Sequence, residues 1–257
     1  MFKLGLCSVT FREKSVDEVI DICREYGLEG VEWGGDGHLR AGGERDDVLE
    51  LKEKCRVAGL ATPGYGSYFD VLEHGPERFG PTLDVAELIG ADTIRVWPGW
   101  VRPEQVTAEQ YGKIVETSRD IAMQAALKGI RVAYEFHDNT CTEGGEAALK
   151  LLGQVNHPNL LTYYQLIRPT ETAWNLTSLE AVYGQLAYVH VQANDDVDNY
   201  PLEDFRDVWE GIVSRLRQWD YDGWLLFEFN RDNSVEQLGK DLELLRALID
   251  QRGRNHE

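Results

Sequence analysis

The 257-residue sequence has no apolar run long enough to cross a membrane, and its first residues hold too short an apolar run for a signal peptide. Its four cysteines form no CxxC pair and no metal-binding spacing, so we expect them to be small core residues. Basic residues are scarce, since 26 Lys and Arg accompany 45 Asp and Glu, for a net charge of −19. Such a surface repels phosphate backbones, which argues against a nucleic-acid partner. Together these absences predict a cytoplasmic protein with no membrane contact.

What the chain does contain is one repeated unit, a short apolar run followed by a helical pattern. The first helix opens with Ser15 and Glu18 as a capping box, and Gly27 suits a left-handed helix stop. The apolar runs begin near Lys3, Glu29, Leu60, Asp92, Ile130, Asn159, Leu186 and Gly223.

Eight alternating strand and helix units in about 250 residues are typical of a parallel (β/α)8 barrel. A doubly wound open sheet would need a phosphate-binding glycine turn after the first strand, and "SVTFREKS" (8–15) has no glycine. No Ser- or Pro-rich linker divides the chain. We therefore predict an α/β fold, a (β/α)8 TIM barrel, that forms a single domain over residues 1–257.

The alternation of side chains along a strand tests whether polar residues at the strand ends converge. Alternate residues of a barrel strand face the helices and the lumen, and barrel active sites lie at the carboxyl ends of the strands. In the fifth strand Ile130, Val132 and Tyr134 form the outward apolar set, which leaves Glu135 in the lumen. In the eighth strand the predicted outward set is Leu225, Phe227 and Phe229. The same test predicts that the inward residues are Glu228, His190, Gln192, Tyr163, Gln165, Arg95 and Trp97.

Two carboxylates, an imidazole and an amide oxygen would then share one cavity. Two negative charges at close range raise the pKa of one carboxyl group, whereas a divalent cation accepts oxygen and imidazole ligands together. We therefore predict a metal site formed by Glu135, Gln165, His190 and Glu228. The alternative is structural, with Glu135 or Glu228 paired to Arg95 or Arg131.

These strand ends resemble those of the xylose-isomerase-like barrel superfamily, over the whole length of the chain. The similarity is greatest to the group described only as sugar phosphate isomerases/epimerases, with ketose 3-epimerases and inosose dehydratase as relatives. The superfamily also contains apurinic-site endonucleases, whose sites need many histidines and a basic face; six histidines and a charge of −19 argue against that activity. The matching motifs are "VEWGGDGH" (31–38), "YGSY" (65–68), "RVWPG" (95–99), "EFHDNT" (135–140), "YYQ" (163–165) and "LLFEFN" (225–230).

The resemblance also implies a cofactor. In ketose epimerases a Glu, an Asp, a His and a Glu hold one divalent ion, and by similarity these correspond to Glu135, Gln165, His190 and Glu228. The departure is Gln165, where the epimerases carry aspartate. A ligand set with only two carboxylates should retain the ion more weakly and leave it a stronger Lewis acid. The resemblance thus implies Mn²⁺, Mg²⁺, Co²⁺ or Zn²⁺, with identity and occupancy left open.

For activity, the resemblance implies an isomerase or epimerase that works through an enediolate, with Glu135 and Glu228 as catalytic acid and base. The same intermediate can expel a hydroxyl or glycosyl group, so a lyase or dehydratase of keto-sugars or keto-glycosides is the alternative. "EFHDNT" resembles the fifth strand end of inosose dehydratase, which points toward elimination. A third hypothesis is a metal-free carbohydrate-binding barrel.

We expect substrate contacts at or just beyond the strand ends, where aromatic faces and polar groups suit a carbohydrate. Phosphate sites of such barrels usually follow strands 7 and 8, and the strand 7 loop carries Asp195, Asp196 and Asp198. The expected partner is therefore a small non-phosphorylated carbohydrate. The aromatic stretch "VWEGIVSRLRQW" (208–219) predicts either a homo-oligomer contact or a helix packed on its own barrel. The predicted substrate-binding residues are Trp33, His38, Tyr65, Arg95, Trp97, His137, Gln192 and Arg231.

Overall fold

The computed structural model describes residues 2–195 and 198–251. Over these residues the strands form one closed barrel in chain order, and each strand runs parallel to its neighbours. The last strand returns to pair with the first, with Leu4 opposite Leu225. This architecture confirms the predicted (β/α)8 barrel. The strands are β1 (Lys3–Cys7), β2 (Gly30–Gly34), β3 (Gly64–Asp70), β4 (Thr93–Trp97), β5 (Arg131–Tyr134), β6 (Leu160–Tyr164), β7 (Leu186–Val191) and β8 (Trp224–Phe227).

A helix follows every strand and packs against the outside of the barrel. The first begins with the predicted capping box, in which Ser15 and Glu18 each bond the backbone of the other. The predicted stop at Gly27 has a φ of 63°, a conformation that costs glycine little. The helices are α1 (Val16–Glu25), α2 (Arg45–Ala58), α3 (Gly80–Ile89), α4 (Ala108–Ala126), α5 (Gly145–Val155), α6 (Thr172–Val182), α7 (Arg206–Gln218) and α8 (Val235–Asp250).

Seven of the eight strands begin within one residue of the predicted starts, and β3 begins later than expected. Its apolar run starts near Leu60, but the strand begins at Gly64. Ala61 makes only an isolated bridge to Gly30, and Pro63 follows without a backbone N–H to continue a ladder. The strand therefore begins four residues later than predicted and ends at Asp70.

The barrel has two apolar regions that follow the predicted alternation of side chains. A large cluster between strands and helices contains Val132, Tyr134 and Val189, and a smaller cluster fills the lower lumen. The floor of the lumen is closed by Trp224, which fits because Gly30 beside it has no side chain; a Cβ there would lie 2.8 Å from the indole. The lumen cluster consists of Cys7, Val9, Ala133, Tyr163, Ala187, Tyr188, Trp224 and Leu226.

One residue of the predicted outward set is wrong. Leu225 and Phe227 face the helix layer, whereas Phe229 packs against the lumen cluster. Its backbone has a φ of 48° and its N–H bonds Thr10 Oγ1 at 3.1 Å. Because β8 ends at Phe227, the alternation of an extended strand no longer governs residue 229.

The aromatic stretch over 208–219 forms most of α7, and its apolar residues are used within the chain. Trp209 is fully buried, and Trp219 stacks on Tyr183 with ring centroids 4.2 Å apart. The structure thus favours the packing of this helix on its own barrel. Among the described residues, no helix has both the length and the apolar character needed to cross a membrane.

Candidate active site

Two acidic side chains enter the lumen directly after strands that are otherwise apolar. Glu135 follows β5, and its backbone N–H bonds the carbonyl of Val96 at 3.1 Å, so it continues the pairing of β5 with β4. Glu228 follows β8 in the same way, with its N–H on the carbonyl of Val191 at 3.1 Å. Both carboxylates are buried. The strand ladders therefore fix these two acids at equivalent heights of the barrel.

Two of the predicted metal ligands, Gln165 and Glu228, meet at a nitrogen atom of a third, His190. His190 Nδ1 lies 2.8 Å from Gln165 Oε1 and 2.9 Å from Glu228 Oε2. One ligand atom each from Glu135, His190 and Glu228 lies within 4.8 Å of the others. The structure thus brings all four predicted ligand side chains into one buried chamber.

Arg95 shares the chamber and contacts three carboxylates at once. Its Nη1 pairs with Glu135, its Nε lies 2.8 Å from Glu32 Oε1, and its Nη2 lies 3.7 Å from Glu228 Oε1. The structural alternative predicted that Glu135 or Glu228 pairs with an arginine. Both contact Arg95, but they share this one guanidinium with Glu32 and do not form separate pairs. Arg131 is not among the partners, and its Nη2 bonds the hydroxyl of Tyr188 at 2.7 Å.

The pKa values in the chamber reflect burial opposed by close counter-charges. Burial alone would raise the pKa of Glu32, but Arg95 and His190 lower it to about 2. Burial also opposes the charge of Glu228, whose pKa is nevertheless lowered, chiefly by His190. The pKa of His190 is raised well above its usual value, because Glu228 outweighs the effect of burial. Glu32 and Glu228 are therefore held in their charged form.

A divalent cation fits this chamber. Three buried carboxylates accompany one guanidinium, so one negative charge lacks a counter-charge when His190 is protonated, and two lack one when His190 is neutral, as a metal ligand must be. The side-chain atoms that meet at His190 Nδ1 are the oxygen and nitrogen types that Mn²⁺, Mg²⁺, Co²⁺ and Zn²⁺ accept. Glu135, Gln165, His190 and Glu228 are the residues that would hold such an ion.

Two buried threonines shape the chain after Glu135. Thr142 Oγ1 donates to the carbonyl oxygen of Glu135 at 2.6 Å, and Thr140 Oγ1 donates to the carbonyl oxygen of His137 at 2.7 Å. The two hydroxyl groups lie 3.0 Å apart. The threonines of "EFHDNTCT" thus fix the direction in which the acid and the histidine leave β5.

An aromatic wall forms one side of the chamber mouth. Trp97 packs on Trp100 with ring centroids 4.4 Å apart, and His137 lies edge-on to both at 5.0 and 5.4 Å. Tyr68, in a left-handed backbone conformation with φ 58°, completes the wall 6.2 Å from Trp97 and lies over Arg95. Trp97 is nearly buried and Trp100 is 56% exposed, so the wall leads from the chamber to solvent.

Two predicted substrate-binding aromatics lie elsewhere. Trp33 and Tyr65 are fully buried and belong to the cluster between strands and helices, opposite to the lumen. The reason is side-chain alternation, because Glu32 on β2 and Gly64 and Gly66 on β3 take the inward positions. These two aromatics pack the core and do not reach the chamber.

Three polar residues of the predicted substrate-binding set lie at different places in the structure. Both ring nitrogens of His38 are used by the protein, one with Ser8 Oγ at 3.1 Å and one with the carbonyl of Lys14 at 2.8 Å. Arg231 is 59% exposed on the turn after β8, where it pairs with Asp232 at 3.7 Å. Gln192 is buried beyond β7, and its Nε2 donates to the carbonyl of Leu166 at 3.4 Å.

Two chamber residues were missed by the sequence reasoning. Glu32 lies between the outward residues Val31 and Trp33, so the alternation of side chains along β2 directs it inward. Arg12 bridges the mouth, with its Nε 2.5 Å from Asp36 Oδ2 and its Nη2 3.3 Å from the hydroxyl of Tyr68. Nothing in the sequence around Arg12 indicated this contact, because it depends on how three separate loops meet.

Gly66 is expected to be required for the position of Arg95. A Cβ at residue 66 would lie 2.6 Å from Arg95 Nη2, inside a packed lumen. Gly66→Ala should therefore lower the free energy of unfolding, measured in urea, by about 1–3 kcal/mol. Gly112→Ala is the matched control, because nothing lies within 4 Å of its added carbon and alanine has the higher helix propensity, so α4 should gain stability. Equal effects of the two substitutions would show that Arg95 has room to move.

The model of the xylose isomerase-like TIM barrel family matches residues 20–248, which is most of the chain. The chain belongs to this family. A curated relative is the 3-dehydroshikimate dehydratase of Bacillus anthracis, 25% identical over 166 residues, which are 62% of this chain. The match spans 59% of that relative's length.

Solved structures of the family share the fold at low sequence identity. The probable 3-DHS dehydratase involved in petrobactin synthesis from Bacillus anthracis superposes with a TM-score of 0.81 at 20% identity, over 96% of this chain and 99% of that one. The 3-keto-D-glucoside 4-epimerase of E. coli gives 0.76 at 17%, over 96% and 100%. The D-allulose 3-epimerase of Methylomonas sp. gives 0.74 at 19%, over 96% and 98%. Members of this family thus include both epimerases and a dehydratase.

Proposed function

We propose that the protein is a divalent-metal-dependent enzyme that removes a proton beside the carbonyl of a sugar or polyol ketone and works through an enediolate. The observation that carries the proposal is the chamber in which Glu135, His190 and Glu228 offer ligand atoms within 4.8 Å of one another, with Gln165 on the same histidine nitrogen. A divalent ion held there would polarise the carbonyl and lower the pKa of the adjacent C–H bond.

Isomerisation or epimerisation is the first candidate reaction. Glu135 and Glu228 are both buried and both contact Arg95, and they come from strands on different sides of the barrel. One carboxylate would take the proton, and the other would return a proton to the opposite face or to the neighbouring carbon. Arg95 would stabilise the negative charge of the enediolate.

Elimination is the second candidate, and His137 favours it. Its Nδ1 lies 2.7 Å from Asp138 Oδ1, the arrangement that orients a histidine for proton transfer. The ring lies at the chamber mouth against Trp97, outside the predicted ligand set. His137 would protonate a hydroxyl or glycosyl group as it leaves the carbon next to the enediolate. The similarity to a 3-dehydroshikimate dehydratase supports the same reaction.

We also propose that the substrate carries no phosphate. Asp195 and Asp198 are exposed after β7, in the region where barrels of this type usually bind phosphate, and Asp196 lies outside the described residues. Acidic side chains there would repel a phosphate ester. A free sugar and its phosphate ester, assayed side by side, test this; much faster turnover of the ester would contradict it.

The reaction is tested by incubating the protein with Mn²⁺ in deuterated water and a panel of free keto-sugars, polyol ketones and keto-glycosides. Deuterium at carbon without loss of mass would identify isomerisation or epimerisation, and loss of water or of an aglycone would identify elimination. NMR and mass spectrometry of the products separate the two. A protein that binds the sugars yet exchanges no deuterium, with or without Mn²⁺, would contradict the proposal and indicate a carbohydrate-binding barrel.

A further inference from the structure

Glu32 is a buried acid in the chamber that the proposed reaction does not use. It lies on β2, is 1% exposed, and is the lumen-facing residue between Val31 and Trp33. Its Oε1 lies 2.8 Å from Arg95 Nε and 3.8 Å from His190 Nε2. A buried carboxylate is costly without partners, and Arg95 is its charged partner at hydrogen-bond distance, while Cys7 Sγ donates to the same oxygen at 3.9 Å.

The first contact concerns the two nitrogens of His190. Nδ1 faces Gln165 and Glu228, whereas Nε2 faces Glu32 and has no hydrogen-bond partner within the described part of the chain. A neutral imidazole carries one proton, and Nδ1 can bind an ion only if that proton is on Nε2. Glu32 Oε1, 3.8 Å from Nε2, is beyond hydrogen-bond distance, but its negative charge favours a proton on Nε2 and therefore this tautomer.

The second contact concerns Arg95, which competes with any cation for Glu135 and Glu228. Its Nε is directed at Glu32, which leaves only the terminal nitrogens for the other two acids. If Glu32 lost its charge, Glu135 and Glu228 would be the remaining carboxylates among the described contacts of the guanidinium. Arg95 would then bind them more strongly and exclude the ion.

The absence of a side chain at Gly64 leaves room for the carboxylate of Glu32 in the lumen. A Cβ at Gly64 would lie 2.5 Å from Glu32 Oε2 and 2.6 Å from the hydroxyl of Tyr163. Gly64 therefore provides the space in which the carboxylate lies. This fit is independent of the contacts with His190 and Arg95.

We infer that Glu32 is a positioning residue that prepares the chamber for its metal ion, by fixing the His190 ring with Nδ1 toward Gln165 and Glu228 and by sharing the guanidinium of Arg95 with Glu135 and Glu228. The inference rests on the proposed function, because it concerns the same ion. The competing arrangement is a second ion bound by Cys7, Glu32 and His190, whose ligand atoms lie within 4.8 Å of one another. The guanidinium of Arg95, 2.8 Å from Glu32, disfavours another cation at that place.

The test compares metal binding by the wild type, Glu32→Gln and Glu32→Asp, with Mn²⁺ titrated by calorimetry and Co²⁺ followed by its visible absorption spectrum. We expect one ion per chain, an affinity about 10- to 100-fold lower in Glu32→Gln, and an altered Co²⁺ spectrum. Glu32→Asp, which keeps the charge, should recover part of the loss. Asp241→Asn is the matched control, since it neutralises a buried acid on α8 that bonds Leu202 and Gln237 instead.

The outcomes separate this inference from the proposed function. A wild type that binds no ion would overturn both. A wild type that binds one ion, with the same affinity and spectrum in Glu32→Gln, would overturn the role of Glu32 alone. Two ions per chain, one of them lost in both Glu32→Gln and Cys7→Ser, would show that Glu32 is a ligand. Near-UV circular dichroism confirms the fold of each variant, and Glu32→Asp is judged by the same criteria if Glu32→Gln does not fold.

Discussion

Glu228→Gln is expected to lower turnover by about 10²- to 10⁴-fold at saturating Mn²⁺, the range usually contributed by a positioned acid or base. The amide keeps the size and an oxygen ligand but cannot accept the substrate proton. Glu228 is buried and lies 2.9 Å from His190 Nδ1, so the substitution removes a carboxylate from the centre of the chamber. The measurement is the rate of deuterium incorporation into the substrate that the panel identifies.

Glu135→Gln should have a comparable effect if both carboxylates take part in proton transfer. Asp241→Asn is the control, since it removes a buried carboxylate outside the barrel lumen. If the reaction is elimination with His137 as the acid, His137→Asn should slow the departure of the hydroxyl or glycosyl group from the enediolate. Deuterium exchange at the carbon beside the carbonyl should continue. Near-normal turnover of Glu228→Gln with Mn²⁺ bound would contradict the assignment of Glu228 as acid or base.

Arg95→Met is expected to make the folded state depend on metal. The guanidinium contacts Glu32, Glu135 and Glu228, so its removal leaves His190 as the one positive partner of these buried carboxylates among the described residues, and leaves Glu135 with none. Removal of one partner of a buried ion pair costs about 3–5 kcal/mol. We therefore expect the free energy of unfolding to fall by about that amount in EDTA, and Mn²⁺ at 100 times its Kd to restore about 2.7 kcal/mol.

The same substitution should raise the affinity for Mn²⁺, because the competing cation has been removed. Urea unfolding with EDTA and with Mn²⁺ measures the stability, and calorimetry measures the affinity. Arg131→Met is the control, since Arg131 bonds Tyr188 and none of the chamber acids, and its effect should not depend on metal. If Arg95→Met is as stable as the wild type in EDTA, Arg95 does not stabilise the buried carboxylates. If it binds Mn²⁺ no more tightly than the wild type, Arg95 does not compete with the cation.

The alternation of side chains was enough to predict much of the chamber. Glu135 and Glu228 follow strands whose apolar residues alternate without interruption, so their inward direction follows from strand geometry alone. His190 lies between Val189 and Val191 within β7, which makes its direction equally secure. The ladder bonds at the strand ends then set the height of each group, which the sequence pattern does not specify.

The errors fall where the chain leaves regular structure or where one contact joins distant loops. Phe229 turns inward because its backbone becomes left-handed two residues after β8 ends. Trp33 and Tyr65 were predicted from their position near strand ends, although alternation assigns them to the outer layer. Arg12 contacts Asp36 and Tyr68 across the mouth of the chamber. The local sequence does not predict a contact between loops so far apart along the chain.

The most direct test is anomalous diffraction from crystals of the wild-type protein grown with Mn²⁺. Our account predicts one manganese ion in the barrel lumen, about 2.0–2.6 Å from side-chain atoms of Glu135, Gln165, His190 and Glu228, with Arg95 still paired to Glu32. A lumen without anomalous density at saturating Mn²⁺ would contradict it.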